Sequence, residues 1–378
     1  GILASNERDY PWLDEGLNSY YEARYMKQHY GSNLLDTYLP RWLFDPTHSG
    51  TMPENAYLLL AREGADTPPE THSDDFWGVA YGIQAYMKPA VCLEWLARSV
   101  GRQRFDQAMQ HYYETWKFRH PYPTDLRAAW REAGLEADWL FEAMQTRRRF
   151  DLALTKVRRK ADGGFDLMVK NRGSLDAPFS ISALRGKQAV QTLWYPALEQ
   201  KTGTIAFPAV EADQFVLDHE RVALDVNRHN NSRRVGGLLP GVEPLRVRAL
   251  ALAERSTYTD LGVLPWIAKN KYDKTMLGVL LYNAPFPPRR FQYFLLPGYG
   301  FGSGHFTGMA DVRYRFLPGG WLPKAVAGFS ARTATYDHHP ADAYRLRYFR
   351  VVPSVRFSFR SASPAFEHEA VLRTLLLG

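Results

Sequence analysis

The hydrophobic period of this chain changes once, near Phe150, and that change limits it to a few architectures. Before it, apolar residues recur at helical spacing, as in Leu17, Tyr20, Tyr21, Tyr25 and Met26 ahead of Gly31. After it they alternate. Short alternating segments at 165–173, 179–184, 190–194, 204–207 and 214–217, with turn residues between them, read as a small antiparallel β-sandwich over 149–230. Residues 231–255, bearing Gly, Arg and Asn, read as a linker. Residues 12 to about 145 read as helical, with loops at 40–50 and 65–75; the second loop is placed to border a cleft.

From 256 onward the alternating segments lengthen. Phe306, Gly308, Ala310, Val312, Tyr314 and Phe316 share one face, with His305, Thr307, Asp311, Arg313 and Arg315 on the other. Phe349, Val351, Val355, Phe357 and Phe359 repeat the pattern against Arg350, Ser354, Arg356, Ser358 and Arg360. Segments of about ten residues, apolar-aromatic on one face and polar on the other, are the signature of a membrane β-barrel. The same alternation also fits a soluble sheet stacked on the sandwich. About six strands are legible before Gly378, fewer than the roughly eight of the smallest common closed barrel. An incomplete barrel is therefore expected over 256–378.

Composition narrows the classes. A length of 378 residues argues for two or three domains. The single cysteine, Cys92, excludes an internal disulfide. The formal charge is +7, but Arg and Lys are scattered outside the runs 147–149 and 158–160. Scattered charge of this kind is solvated surface or barrel lumen, and no nucleic-acid partner is expected. No apolar run approaches the roughly eighteen residues of a spanning helix.

Two stretches carry chemistry. In Tyr10-Pro11-Trp12-Leu13-Asp14-Glu15-Gly16 a rigid, bulky lead-in holds a carboxylate at the start of a helix. Taken alone, Asp14-Glu15-Gly16 is a helix start favoured by the macrodipole. The second stretch is Tyr86-Met87-Lys88-Pro89-Ala90-Val91-Cys92-Leu93-Glu94-Trp95-Leu96. Together they resemble the gluzincin aminopeptidases, the family of aminopeptidase N and leukotriene hydrolase. There an H-E-x-x-H helix is followed, eighteen residues on, by the third metal ligand in W-L-[ND]-E-G, and later by Y-x-K-G. The resemblance implies that the chain begins just after the H-E-x-x-H helix, with Gly1 closing the run behind the second His.

It further implies the C-terminal part of a helical peptidase domain over 1–148 and, for the whole chain, a multidomain α + β fold. Glu15 would be a Zn2+ ligand, with the two His ligands missing from this chain, and Tyr86 the donor to the oxyanion of peptide hydrolysis. Pro89 stands where the family has Gly, which puts the placement of Tyr86 in question, although Pro suits a first helical turn. Asn18, Ser19 and Glu22 follow along the Glu15 face and could orient it. Gly101 to Met144 continues the likeness, with Thr124 as an expected N-cap and Asp125 in the first turn. His120 reads as a surface or capping residue.

Residues 261–283 resemble the first strands of surface-antigen-type outer-membrane barrels. On this reading the chain is part of a zinc metallopeptidase acting on peptides, in the bacterial outer membrane and in contact with its lipid, the peptidase domain being periplasmic. A soluble periplasmic peptidase is one alternative; a catalytically dead peptidase-like scaffold with a binding or assembly role is another. His368-Glu369-Ala370-Val371-Leu372 lacks the second His of the metalloprotease motif, as does the segment at His219. Oligomeric state is not legible.

Overall fold

The computed structural model describes residues 2–31, 49–339, 344–361 and 368–378. Most of the loop expected at 40–50 lies outside these. The fold is mixed α and β, with antiparallel sheets, and it divides into two compact units. The first runs to Glu243; the second comprises Pro244–Gly378 with Arg62–Ala65.

The first unit opens with a π-helical turn, Trp12–Gly16, that leads into α1 (Leu17–Tyr30). Gly31 ends α1 in the left-handed region, at φ 74°, where its N–H donates to the Lys27 carbonyl. α2 is Met52–Glu63. A second π-helical turn, Gly82–Met87, leads into α3 (Lys88–Val100), and Pro89 occupies the first turn of α3 without breaking it. The buried stripe Cys92, Leu93, Trp95 and Leu96 makes α3 the centre of the helical part. The indole of Trp95 packs against Trp139 and Phe150 and donates to the Pro178 carbonyl at 2.9 Å. One residue thereby links the helices to the sandwich.

α4 (Arg102–Trp116) buries Phe105, Ala108, Met109 and Tyr112, one face at helical spacing. α5 (Pro123–Glu132) starts two residues earlier than its sequence suggests. Tyr122, not Thr124, is the N-cap, because Pro123 fits the first helical position and the Asp125 carboxylate reaches back to the Tyr122 N–H at 2.8 Å. α6 (Asp138–Gln145) is the last α-helix of this unit among the described residues.

Two sheets follow. One has the order β1 (Leu152–Arg159), β2 (Phe165–Asn171), β5 (Thr202–Phe207). The other has the order β4 (Gln188–Tyr195), β3 (Phe179–Arg185), β6 (Gln214–Leu217), β7 (Ser232–Arg234). Their inner faces meet through Phe215, whose ring lies 4.8 Å from Phe165 and 5.2 Å from Phe207. A buried ion network ties α2 to the end of the sandwich. Glu54 accepts from Arg228 at 2.6 Å and Arg221 at 2.9 Å, and Arg228 also pairs with Asp218 at 2.8 Å. Two carboxylates against two guanidiniums leave no net charge buried, which is what makes the burial tolerable.

In the second unit β8 (Leu245–Arg248) pairs in parallel with β9 (Thr259–Asn270). Antiparallel strands continue as β10 (Lys274–Tyr282), β11 (Phe291–Gly300), β12 (His305–Phe316), β13 (Lys324–His339), β14 (Tyr344–Phe359) and β15 (His368–Arg373). β16 (Leu376–Leu377) also pairs with β14. The path is open, and no closed barrel forms among the described residues. Nine strands join this sheet, more than alternation reveals, since β8, β15 and β16 are too short to display a period. Residues 231–255, expected as a linker, contain β7 and β8. Glycine is required where Trp266 lies across the sheet: a Cβ at Gly278 or Gly298 would meet its ring at 2.4 or 2.3 Å.

Candidate functional site

Glu15 and Tyr86 lie in the two π-helical turns and meet. The Tyr86 hydroxyl donates directly to Glu15 Oε1 across a sequence separation of 71 residues. The cause is local. Gly16, next to Glu15, has no side chain, and a Cβ there would meet Pro89 Cβ at 2.5 Å and the Ala85 carbonyl at 3.2 Å. The two turns can therefore close on each other only over a glycine, and Pro89 is half of that contact. Single π turns of this kind occur frequently at functional sites.

Around the pair sit groups that sequence reasoning missed. Glu7, Asp14 and Glu15 bring one carboxylate oxygen each within 4.8 Å of one another. The Tyr81 hydroxyl donates to Glu7 Oε1 at 3.2 Å, and its ring stands edge-on to Tyr86 at 5.6 Å. Tyr81 precedes Tyr86 by five residues, which is one turn of a π helix; a search at α-helical spacing passes over it. Burial first, and the Glu7 charge second, raise the Asp14 carboxyl above its ordinary range. Burial, then the bond to Glu15, push the Tyr86 phenol up, so it holds its proton throughout the neutral range.

The surroundings hold this geometry in place. Trp12 is fully buried against Phe141, and its indole donates to Glu70 at 3.1 Å. The loop at 65–75 lies against the residues leading into Trp12: Ser73 N–H donates to the Arg8 carbonyl at 2.8 Å, and Arg8 pairs with Asp74 at 2.9 Å. Asn18, Ser19 and Glu22 make no hydrogen bond to Glu15 among the described residues, and Asn18 is exposed. The Glu15 carboxylate instead receives the Tyr86 hydroxyl. His120 caps the backbone at the Ala4 carbonyl, 2.8 Å away, apart from the acidic group.

The donor set fits zinc in part. Glu15 offers a carboxylate of the kind zinc accepts, but no imidazole joins the group among the described residues. Hydrolytic zinc sites combine carboxylate with His, whereas three carboxylates alone suit a hard cation.

No family model matches the chain, and no curated protein matches it. Among solved structures, the aminopeptidase A of Legionella pneumophila in complex with aspartic acid is similar over 57% of this chain, at 15% identity and a TM-score of 0.41. The match spans only 24% of that protein's own length. A likeness of that degree decides neither fold nor activity, and the site stands on its own geometry.

Proposed function

We propose that residues 1–148 form part of a zinc-dependent peptidase centre, with Glu15 as a carboxylate ligand and Tyr86 as the donor to the peptide oxyanion. The observation that carries this is the meeting of Glu15 and Tyr86, two residues singled out separately by their motifs. When bound, zinc would polarise the scissile carbonyl and acidify a water. Glu15 would orient on the metal. Tyr86, protonated at neutral pH, gives its one O–H to Glu15 in this structure; with the Glu15 carboxylate engaged as a ligand it would turn that O–H to where charge develops on the carbonyl oxygen. A donor of this kind is worth about 10²–10³ in turnover.

The make-up of the acidic group, three carboxylates of the kind that suit a hard cation, favours a second reading, a peptidase-like scaffold without zinc catalysis. The two readings part in the full-length protein, assayed for zinc content and for release of a chromophore from aminoacyl anilides. On the first reading Glu15→Gln loses zinc, while Tyr86→Phe keeps zinc and loses turnover by about 10²–10³-fold. Near-normal turnover in Tyr86→Phe would return Tyr86 to a packing role. Full-length protein with neither zinc nor turnover would leave the scaffold.

A further inference from the structure

The second unit wears its polarity inside out. Phe306 is 76% exposed and Ile267 72%, whereas Asp260 is 3% and Thr307 6% exposed. The Arg315 side chain, on the same face as Thr307, is 11% exposed and pairs with Glu63 at 2.9 Å. Soluble proteins bury apolar side chains and leave charges in water; a contiguous apolar face of this extent marks a contact surface.

Strand register shows how continuous that face is. Leu281, Leu295, Ala310, Ala331, Val351 and Leu376 form one row across six strands, with no polar member. Two rungs further along β12 the row is Tyr293, Val312, Phe329 and Pro353; beyond that it is Phe291, Tyr314, Ala327, Val355 and Leu372. At the other end Tyr299 pairs with Phe306. Shifting by one residue brings in the polar groups: the row Gln292, Arg313, Gly328, Ser354, Arg373 has no apolar side chain, and its neighbour Phe294, Asp311, Ser330, Val352 is mixed.

We infer that this face contacts the acyl chains of a lipid bilayer. The banding distinguishes lipid from a protein partner, because an aliphatic middle row lies between rows rich in aromatic residues, as the two interfaces of a membrane require. The dimensions agree. Phe306 and Phe316 bound the band on β12, and their ten-residue separation is about 34 Å along the strand. At a tilt of about 40° that is about 26 Å along the membrane normal, against an apolar band of about 25 Å in outer-membrane barrels. β11 and β12, with 10 and 12 residues, meet the roughly 9–11 needed to span. Free strand edges are not tolerated in hydrocarbon, so the inserted form must also have its edge strands paired.

This surface is independent of the peptidase reading and is tested apart from it. Single cysteines at Ala310, Asp311, Val312, Arg313 and Tyr314, in a Cys92→Ser background, carry nitroxide labels in the full chain. The protein is reconstituted into phosphatidylcholine–phosphatidylglycerol vesicles. Collision with oxygen, which partitions into lipid, is compared with collision with a water-soluble nickel chelate. The expected result is a period of two: oxygen dominates at 310, 312 and 314 and nickel at 311 and 313. Loss of that alternation would overturn the proposal, as would spin–spin broadening at the even positions, which would place a second copy on the face. Flotation of the unmodified protein with the same vesicles guards against label-induced misfolding. Folded, detergent-free protein that stays at the bottom of the gradient would overturn the proposal too.

Discussion

Gly16 is the residue on which the Glu15–Tyr86 contact depends. Its absent side chain lets the two π turns approach, and the nearest obstacle to a Cβ is the Pro89 ring, with the Ala85 backbone behind it. A ring cannot swing aside, so Gly16→Ala must separate the turns or strain them. Overpacking of this sort costs about 1–3 kcal/mol. Urea unfolding of the Gly16→Ala chain is expected to show a loss in that range, together with lowered turnover in the full-length protein. A variant of unchanged stability would mean that the contact is looser than described.

At the scale of elements, the least expected feature is the buried four-charge network joining α2 to the end of the sandwich. Burial opposes ionisation of Glu54, yet Arg221 and Arg228 together hold its carboxyl below the ordinary 4.5. A carboxylate with a lowered folded-state pKa contributes stability that is present above about pH 4.5 and is lost as the pH falls through the folded value. Glu54→Ala removes the carboxylate that Arg221 and Arg228 share and leaves Asp218 as the one carboxylate of this network against both guanidiniums, a break in a buried pair that typically costs about 3–5 kcal/mol. Denaturant midpoints at pH 7 should fall accordingly. As the pH falls below about 4.5 the gap between wild type and variant should narrow; a gap constant on going to lower pH would assign the loss to packing.

The network was not legible in the sequence because ion pairs between residues 54 and 228 leave no periodic trace. Periodic features were legible. The strands at 165–171 and 214–217 follow directly from alternation, since each has one face in a core, and 179–185 shows the same alternation of Ser180 and Ser182 with apolar residues although both its faces are buried. Glu15 and Tyr86 were singled out by motif; their π-helical setting was not, because an α-helical period is assumed when a stripe is read. Tyr81 escaped for the same reason, whereas Glu7 lies in a turn ahead of the π helix and is brought to the site by the path of the chain, which leaves no periodic trace.

Over the whole molecule, the first unit follows the rule of an apolar interior, and the second inverts it along six strands. The inverted unit was readable as alternation but not as an open nine-stranded path, for pairing partners are set by register rather than by period. In the first unit, Glu15 as a proposed metal ligand with Tyr86 as a donor beside it is open to X-ray absorption at the zinc edge of zinc-loaded, full-length protein. The expected spectrum has an oxygen shell at about 2.0–2.2 Å that weakens in Glu15→Gln and is unchanged in Tyr86→Phe. A zinc shell identical in wild type and Glu15→Gln would contradict it.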